Sequence, residues 1–241
     1  MKRLVLLAFA FLSACASAST IKEAPPASTA TLAPLPADAP FRDEILRFAE
    51  LDRESAPPQC PVLFVGSSSI RLWQTLAEDM APLPVLNRGF GGSSIADANL
   101  YFDRIVAPYR PRAIVFYAGE NDVDSGRSPA DVAAEFRRFL DAKRRTLGNT
   151  PVFFISAKPS KLRFAQLARQ SELNAAIRTL AAGSRDLVYI DVVSAMLSNG
   201  RPRDLFIEDG LHMAPAGYAI WRDIVRDALL RGNVAKLPCR T

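Results

Sequence analysis

Three parts of this 241-residue chain carry side chains that together support attack on an ester carbonyl. Ser68 lies in "FVGSSSIRLW" (64–73), where an apolar run stops at Gly66 and three serines follow. His212, the only histidine, lies in "EDGLHMAP" (208–215), three residues after Asp209. A serine hydroxyl is a poor nucleophile until a base takes its proton, and imidazole does this near neutral pH. A spacing of three lets one short loop hold Asp209 and His212, with the carboxylate orienting the ring. Candidate oxyanion donors stand elsewhere. They are the Ser68 amide at an expected helix start, the Gly92 amide in "GFGGSS" (89–94) and the Asn121 side chain in "GEND" (119–122). Each piece has a plainer use. Ser and Gly end strands and cap helices, Asn121-Asp122 makes a turn, and a lone His can cap a helix. Ser69 is expected to cap the helix after Ser68.

The positioning elements are legible. "PVLFVG" (61–66), "LPVLNRG" (83–89), "RAIVFYAG" (112–119), "TPVFFISA" (150–157) and "DLVYIDV" (186–192) are short and nearly all apolar, as strands buried on both faces must be. Helical patterns alternate with them. One covers 41–54. One opens at Ser94-Ile-Ala-Asp97, a capping-box spacing. One opens at Ser128-Pro129 and closes at Gly148, one carries Leu173, Ile177 and Leu180 and ends at Gly183, and the last opens at Pro215. Alternation of this kind predicts an α/β fold, a three-layer α/β/α sandwich around a five-stranded parallel sheet. Ligands of such sheets sit beyond the carboxyl ends of the strands. The serine, glycine, asparagine and histidine blocks all follow strands, so all are expected at that edge.

In these four blocks, from about residue 61 to about residue 222, the chain resembles the SGNH hydrolases, the superfamily of GDSL-like esterases and lipases. The resemblance implies a flavodoxin-like sheet and a serine esterase that works through an acyl-enzyme without a cofactor or metal. It makes Ser68 the nucleophile, Ser68, Gly92 and Asn121 the oxyanion hole, and Asp209 and His212 the rest of the triad. The departure is Ser67, which stands where the family usually has Asp; altered local hydrogen bonding is expected there. A lysophospholipase or thioesterase is the nearest alternative activity. A non-catalytic, envelope-tethered binding protein on the same fold is the alternative of another class.

Hydrophobic residues make up 49% of the chain, enough for a sizeable core. A net charge of +5 without like-charge runs or aromatic-basic interleaving argues against nucleic-acid binding. "MKR" followed by "LVLLAFAFL" reads as an export signal (1–15), too short for a membrane span. It ends in "LSAC", which resembles a bacterial lipoprotein signal and would place a lipid on Cys15; cleavage at "ASA" is the competing outcome. Residues 16–40, rich in Ala, Pro, Ser and Thr, are expected to be a flexible tether, and 41–241 the hydrolase domain. The protein is thus expected in the cell envelope as an anchored lipoprotein, or else periplasmic or secreted. Membrane contact would come through the anchor alone.

Cys60 and Cys239 remain, and export permits a disulfide between them. Cys60 precedes the first strand, at the edge opposite the site. The last helix, antiparallel to the strands, should deliver the tail there; two unpaired thiols are the alternative. Three scattered cysteines and one histidine make no zinc site. Loop cations near the active edge are Arg71, Arg88, Lys158, Lys161, Arg163, Arg201 and Arg203. Arg71, Arg88 and Lys158 are the candidate substrate contacts, for an acidic substrate group; ordinary solvated charge is the other reading. No apolar lid-like insertion follows the strands, so the expected substrate is a short-chain or acetyl ester of a carbohydrate or small molecule.

Overall fold

All five apolar runs form strands of one parallel sheet in the computed structural model, which describes residues 32–239. The strands are β1 (Val62–Gly66), β2 (Val85–Gly89), β3 (Ala113–Tyr117), β4 (Val152–Ile155) and β5 (Leu187–Ile190). Their order is β2-β1-β3-β4-β5, and every pairing is parallel. This is the order of a flavodoxin-like sheet, with the switch point between β1 and β3. Each strand falls inside its expected run.

Side chains alternate across the sheet. Leu63, Val65, Ile114, Phe116, Val152 and Phe154 face one helical layer, packing with Ile95, Phe136, Phe139 and Ile177. Val62, Phe64, Ala113, Val115, Phe153 and Ile155 face the other, with Trp73, Trp221 and Val225. Both faces are covered over the central strands β1, β3 and β4, which is why these three carry no charged or amide side chain. Phe116 lies among the rings of Phe139 (4.5 Å between centroids), Phe136 (5.3 Å) and Phe154 (5.9 Å). Truncating it to alanine would cost about 3–5 kcal/mol.

Helix ends follow the local chemistry. Ser94 and Asp97 form the reciprocal capping box that opens the helix Ile95–Leu100. Ser128 accepts from the Asp131 amide, and Pro129 starts a helix that runs to Leu147 before Gly148. The first helix is Arg42–Glu54, the fourth-crossover helix Leu167–Ala182 starts before its expected apolar stripe, and the last is Pro215–Arg231.

Residues 32–40 correct the expected tether. Leu35 packs against the core, the Arg104 guanidinium donates to the Ala33 carbonyl, and Tyr101 donates to the Pro40 carbonyl. These nine positions therefore belong with the domain. Cys15 and the expected export signal lie outside the described residues. Cys60 and Cys239 are joined as a disulfide, with Cα atoms 5.4 Å apart, at the edge opposite the strand carboxyl ends.

Candidate active site

Gly66 ends β1 at φ 143°, where a Cβ would stand 1.8 Å from the Tyr117 carbonyl oxygen. Only glycine lets the chain leave the strand so close to β3, and the Ser67 amide then donates to that same oxygen at 2.9 Å. The turn puts Ser68 at the first position of a one-turn helix, Ser68–Arg71. The first amides of a helix have no partner within it. Ser67, not Ser69, occupies the N-cap position, and its side chain makes no capping bond. Ser69 lies inside the turn, where its carbonyl accepts from the Tyr218 hydroxyl at 3.1 Å. The expectation that Ser69 caps the helix is thus corrected: the helix begins two residues earlier.

The strand-end loops are tied together. Ser93 is buried and donates from Oγ to the Phe90 carbonyl at 3.0 Å. Its own carbonyl accepts from Asn121 Nδ2 at 2.9 Å. The Asp122 carboxylate accepts from the Ile95 amide at 3.2 Å. Gly92 takes φ 74° beside open space, so its exposed backbone faces the cleft without a side chain in the way.

His212 reaches Ser68 from the far side. Its Nε2 lies 2.9 Å from Ser68 Oγ, and its Nδ1 lies 2.5 Å from Asp209 Oδ2. With the proton on Nδ1 donated to Asp209, Nε2 is free to accept from the serine; this tautomer is assigned from the hydrogen bonds. Asp209 Oδ1 also accepts from the amides of Leu211 (2.8 Å) and His212 (2.9 Å). Burial raises the Asp209 pKa, but these amides and the imidazole outweigh it and bring it down to about 2. The loop is closed at its base, where the Ala214 amide donates to the Leu205 carbonyl at 2.9 Å.

Ser68, Gly92, Asn121 and His212 line one cleft of about 370 Å³ with Glu44, Arg71, Gly91, Arg163 and Leu211. Arg71 is where the sequence suggests, facing Glu44 at 3.7 Å. Arg88 is not. It is buried, ion-paired with Asp52, bonded to the Tyr109 hydroxyl at 2.9 Å and stacked on Phe48 and Tyr109. Lys158 is likewise excluded: it is buried and ion-paired with Glu120 at 2.6 Å. Burial raises the Glu120 pKa, but Lys158, Tyr117 and Arg163 outweigh it and keep the carboxyl below its ordinary value. In both places a cation that looks like loop charge in sequence neutralises a carboxylate under the surface. Arg163 and Glu44 take their places in the cleft. Arg163 stands among the loop cations already; Glu44, on the first helix, has no sequence signal beyond its helical pattern.

The family model of the GDSL-like Lipase/Acylhydrolase family matches residues 64–220. The chain belongs to that family. As a GDSL-like acylhydrolase it is an ester hydrolase. No curated protein matches it in sequence. Among solved structures it is similar to a GDSL-like lipase from Bacteroides thetaiotaomicron, with 20% identity and a TM-score of 0.67 over 78% of this chain and 98% of that one. It is similar to a carbohydrate esterase of family 3 from Talaromyces cellulolyticus, with 17% identity and a TM-score of 0.60 over 75% of this chain and all (100%) of that one. An acetyl esterase determined as a serine-to-alanine mutant with acetate matches at 17% identity and a TM-score of 0.60, over 75% of this chain and 100% of that one. At these identities the structures attest the fold, and the GDSL-like match covers all four blocks.

Proposed function

We propose that this acylhydrolase cleaves a carboxylic ester through a Ser68 acyl-enzyme. The observation that carries this is the continuous chain Ser68 Oγ, His212 Nε2, His212 Nδ1, Asp209 Oδ2, with contacts of 2.9 and 2.5 Å. Ser68 Oγ attacks the carbonyl carbon as its proton passes to His212 Nε2. Charge that develops on the carbonyl oxygen meets the amides of Ser68 and Gly92 and Asn121 Nδ2. The carbon–oxygen bond to the alcohol then breaks, and the departing oxygen takes the proton from His212. Water, deprotonated by the same imidazole, releases the acid and restores Ser68. Asp209 stays ionised throughout and steadies the imidazolium.

The substrate proposed is a short-chain or acetyl ester of a carbohydrate or small molecule. The small polar cleft beside Ser68 supports it, as do the acetyl and carbohydrate esterases among the similar structures. The enzyme is proposed to act outside the cytoplasm, tethered through Cys15; "LSAC" after an apolar run supports this. Mass spectrometry of the mature N-terminus tests it, and a free amine downstream of Cys15 means release instead.

Labelling by a fluorophosphonate probe, lost in Ser68→Ala, tests the mechanism. An intact protein that neither labels nor turns over any ester would make it a binding protein on a hydrolase fold.

A further inference from the structure

A second cavity, of about 410 Å³, opens on the other side of His212. Among the described residues His212 is the one residue that lines both cavities. The wall between them is a pair of chain segments. Arg71 and Leu211 face the Ser68 cleft, whereas their near neighbours Leu72 and Met213 face the second cavity. The two differ in chemistry. The Ser68 cleft carries Glu44, Arg71, Asn121 and Arg163, whereas the second is walled mainly by Leu72, Ile207, Met213, Pro215, Tyr218 and Ala219, with Gln74, Thr75, Asp79 and Arg222 as its polar members. Ile207, at its edge, is 50% exposed, an uncovered apolar side chain beside the imidazole. The cavity follows the last helix from Pro215 to Arg222. The seven rises between these eight residues make a groove roughly 10 Å long, enough for a medium alkyl chain or a bicyclic aryl group.

We propose that this groove receives the alcohol half of the ester and selects an apolar one. The inference rests on the Ser68 mechanism above. When the tetrahedral intermediate collapses, the bond from carbonyl carbon to alcohol oxygen breaks and its electron pair stays on that oxygen. His212 Nε2 delivers to it the proton taken from Ser68, so the alcohol oxygen must lie against the imidazole. The oxyanion donors Gly92 and Asn121 lie in the other cavity. An alcohol whose oxygen touches Nε2 therefore continues past the imidazole, into a groove that offers apolar walls. The acyl half remains in the Ser68 cleft, whose charged and polar lining offers a long alkyl chain little apolar surface. Within the substrate class proposed above this favours a small-molecule ester with an apolar alcohol over an acetylated sugar.

The test compares two ester series by pH-stat: ethyl to hexyl acetate, whose alcohols have nearly constant acidity, and ethyl acetate to ethyl hexanoate. For the acetates, kcat/KM should rise about two- to fourfold per added methylene, the upper value being full burial. The alkanoate series should lack that rise. Ala219→Phe, which fills the groove, should abolish the rise. Hexan-1-ol should inhibit the unaltered enzyme competitively and far better than hexanoate, a measurement that needs no variant to fold. A flat acetate series, a rise confined to the alkanoates, or a preference for acetylated xylose over hexyl acetate overturns the assignment. Ser68→Ala separates the two ideas: its full loss of ethyl acetate hydrolysis with a flat acetate series condemns the groove alone. Retained hydrolysis in Ser68→Ala condemns the mechanism on which the groove depends.

Discussion

The Arg163 guanidinium donates to Asn121 Oδ1 at 2.9 Å, which leaves Nδ2 as the end of the amide that faces Ser93 and the cleft. Arg163 is itself held by Asp124 at 2.8 Å and stands over buried Glu120. A guanidinium can only donate, so it forbids the flipped amide that would turn an oxygen toward the developing oxyanion. Arg163→Met should lower kcat by about 10–100-fold with little change in KM, since the effect is on transition-state charge. In an Asn121→Ala background the same change should cost under about threefold, because the group it positions is gone. Steady-state kinetics of the four proteins decides this; a pure KM effect, larger for anionic esters, would make Arg163 a substrate contact.

Ser68→Ala and His212→Ala should each lower turnover by several orders of magnitude, and the double variant should be little worse than either. Asn121→Ala should lower kcat by roughly 10²–10³. Near-normal hydrolysis by the Ser68→Ala protein would remove the nucleophile assignment.

Asp186 faces buried Lys143 at 2.5 Å and takes two bonds from Arg144, at 2.9 and 2.8 Å. The Arg144 hydrogen bonds first, then Lys143, hold its pKa well below the ordinary aspartate value against the opposing effect of burial. A depressed carboxylate stabilises the fold above its unfolded pKa of about 3.9, and that share is lost as pH falls toward the folded value. Asp186→Asn should therefore destabilise by about 3–5 kcal/mol at pH 7, because it removes the charge facing a buried ammonium. The gap should narrow steadily below about pH 4. Urea denaturation at several pH values measures it, and a gap that does not change with pH would show that packing, not charge, is responsible.

The Cys60–Cys239 bond spans a sequence separation of 179, at the edge away from Ser68. Chain-entropy reasoning assigns such a loop about 4–5 kcal/mol. Cys239→Ser should lower the denaturation midpoint accordingly and leave kcat unchanged at temperatures where the protein stays folded. A large loss of kcat there would mean that the tail reaches the site.

Much of this protein was legible before folding. The strands declare themselves because burial on both faces leaves no room for polar residues, as in Val62–Gly66 and Ala113–Tyr117. The capping box at Ser94 and the Ser128-Pro129 start are local chemistry, decided by a few neighbouring residues. A parallel sheet delivers every strand end to one edge, and the resemblance of the four blocks to the SGNH hydrolases singled out Ser68, Gly92, Asn121, Asp209 and His212 there. The direction of the last helix brought Cys60 and Cys239 to one edge, and the fold decided between the bond and two free thiols.

Charge pairing was another matter. Arg88, Lys158 and Arg163 look alike as loop cations. The fold buries the first against Asp52 and the second against Glu120, and sets the third on Asn121. Their partners lie 36, 38 and 42 residues away along the chain. No spacing rule reaches that far, because which carboxylate meets which cation depends on how helices and loops settle over the sheet. The same holds for Glu44 in the cleft and for the groove behind His212. Segments distant in sequence become the walls of one cavity only when the layers close, and burial then decides which charges remain for a substrate.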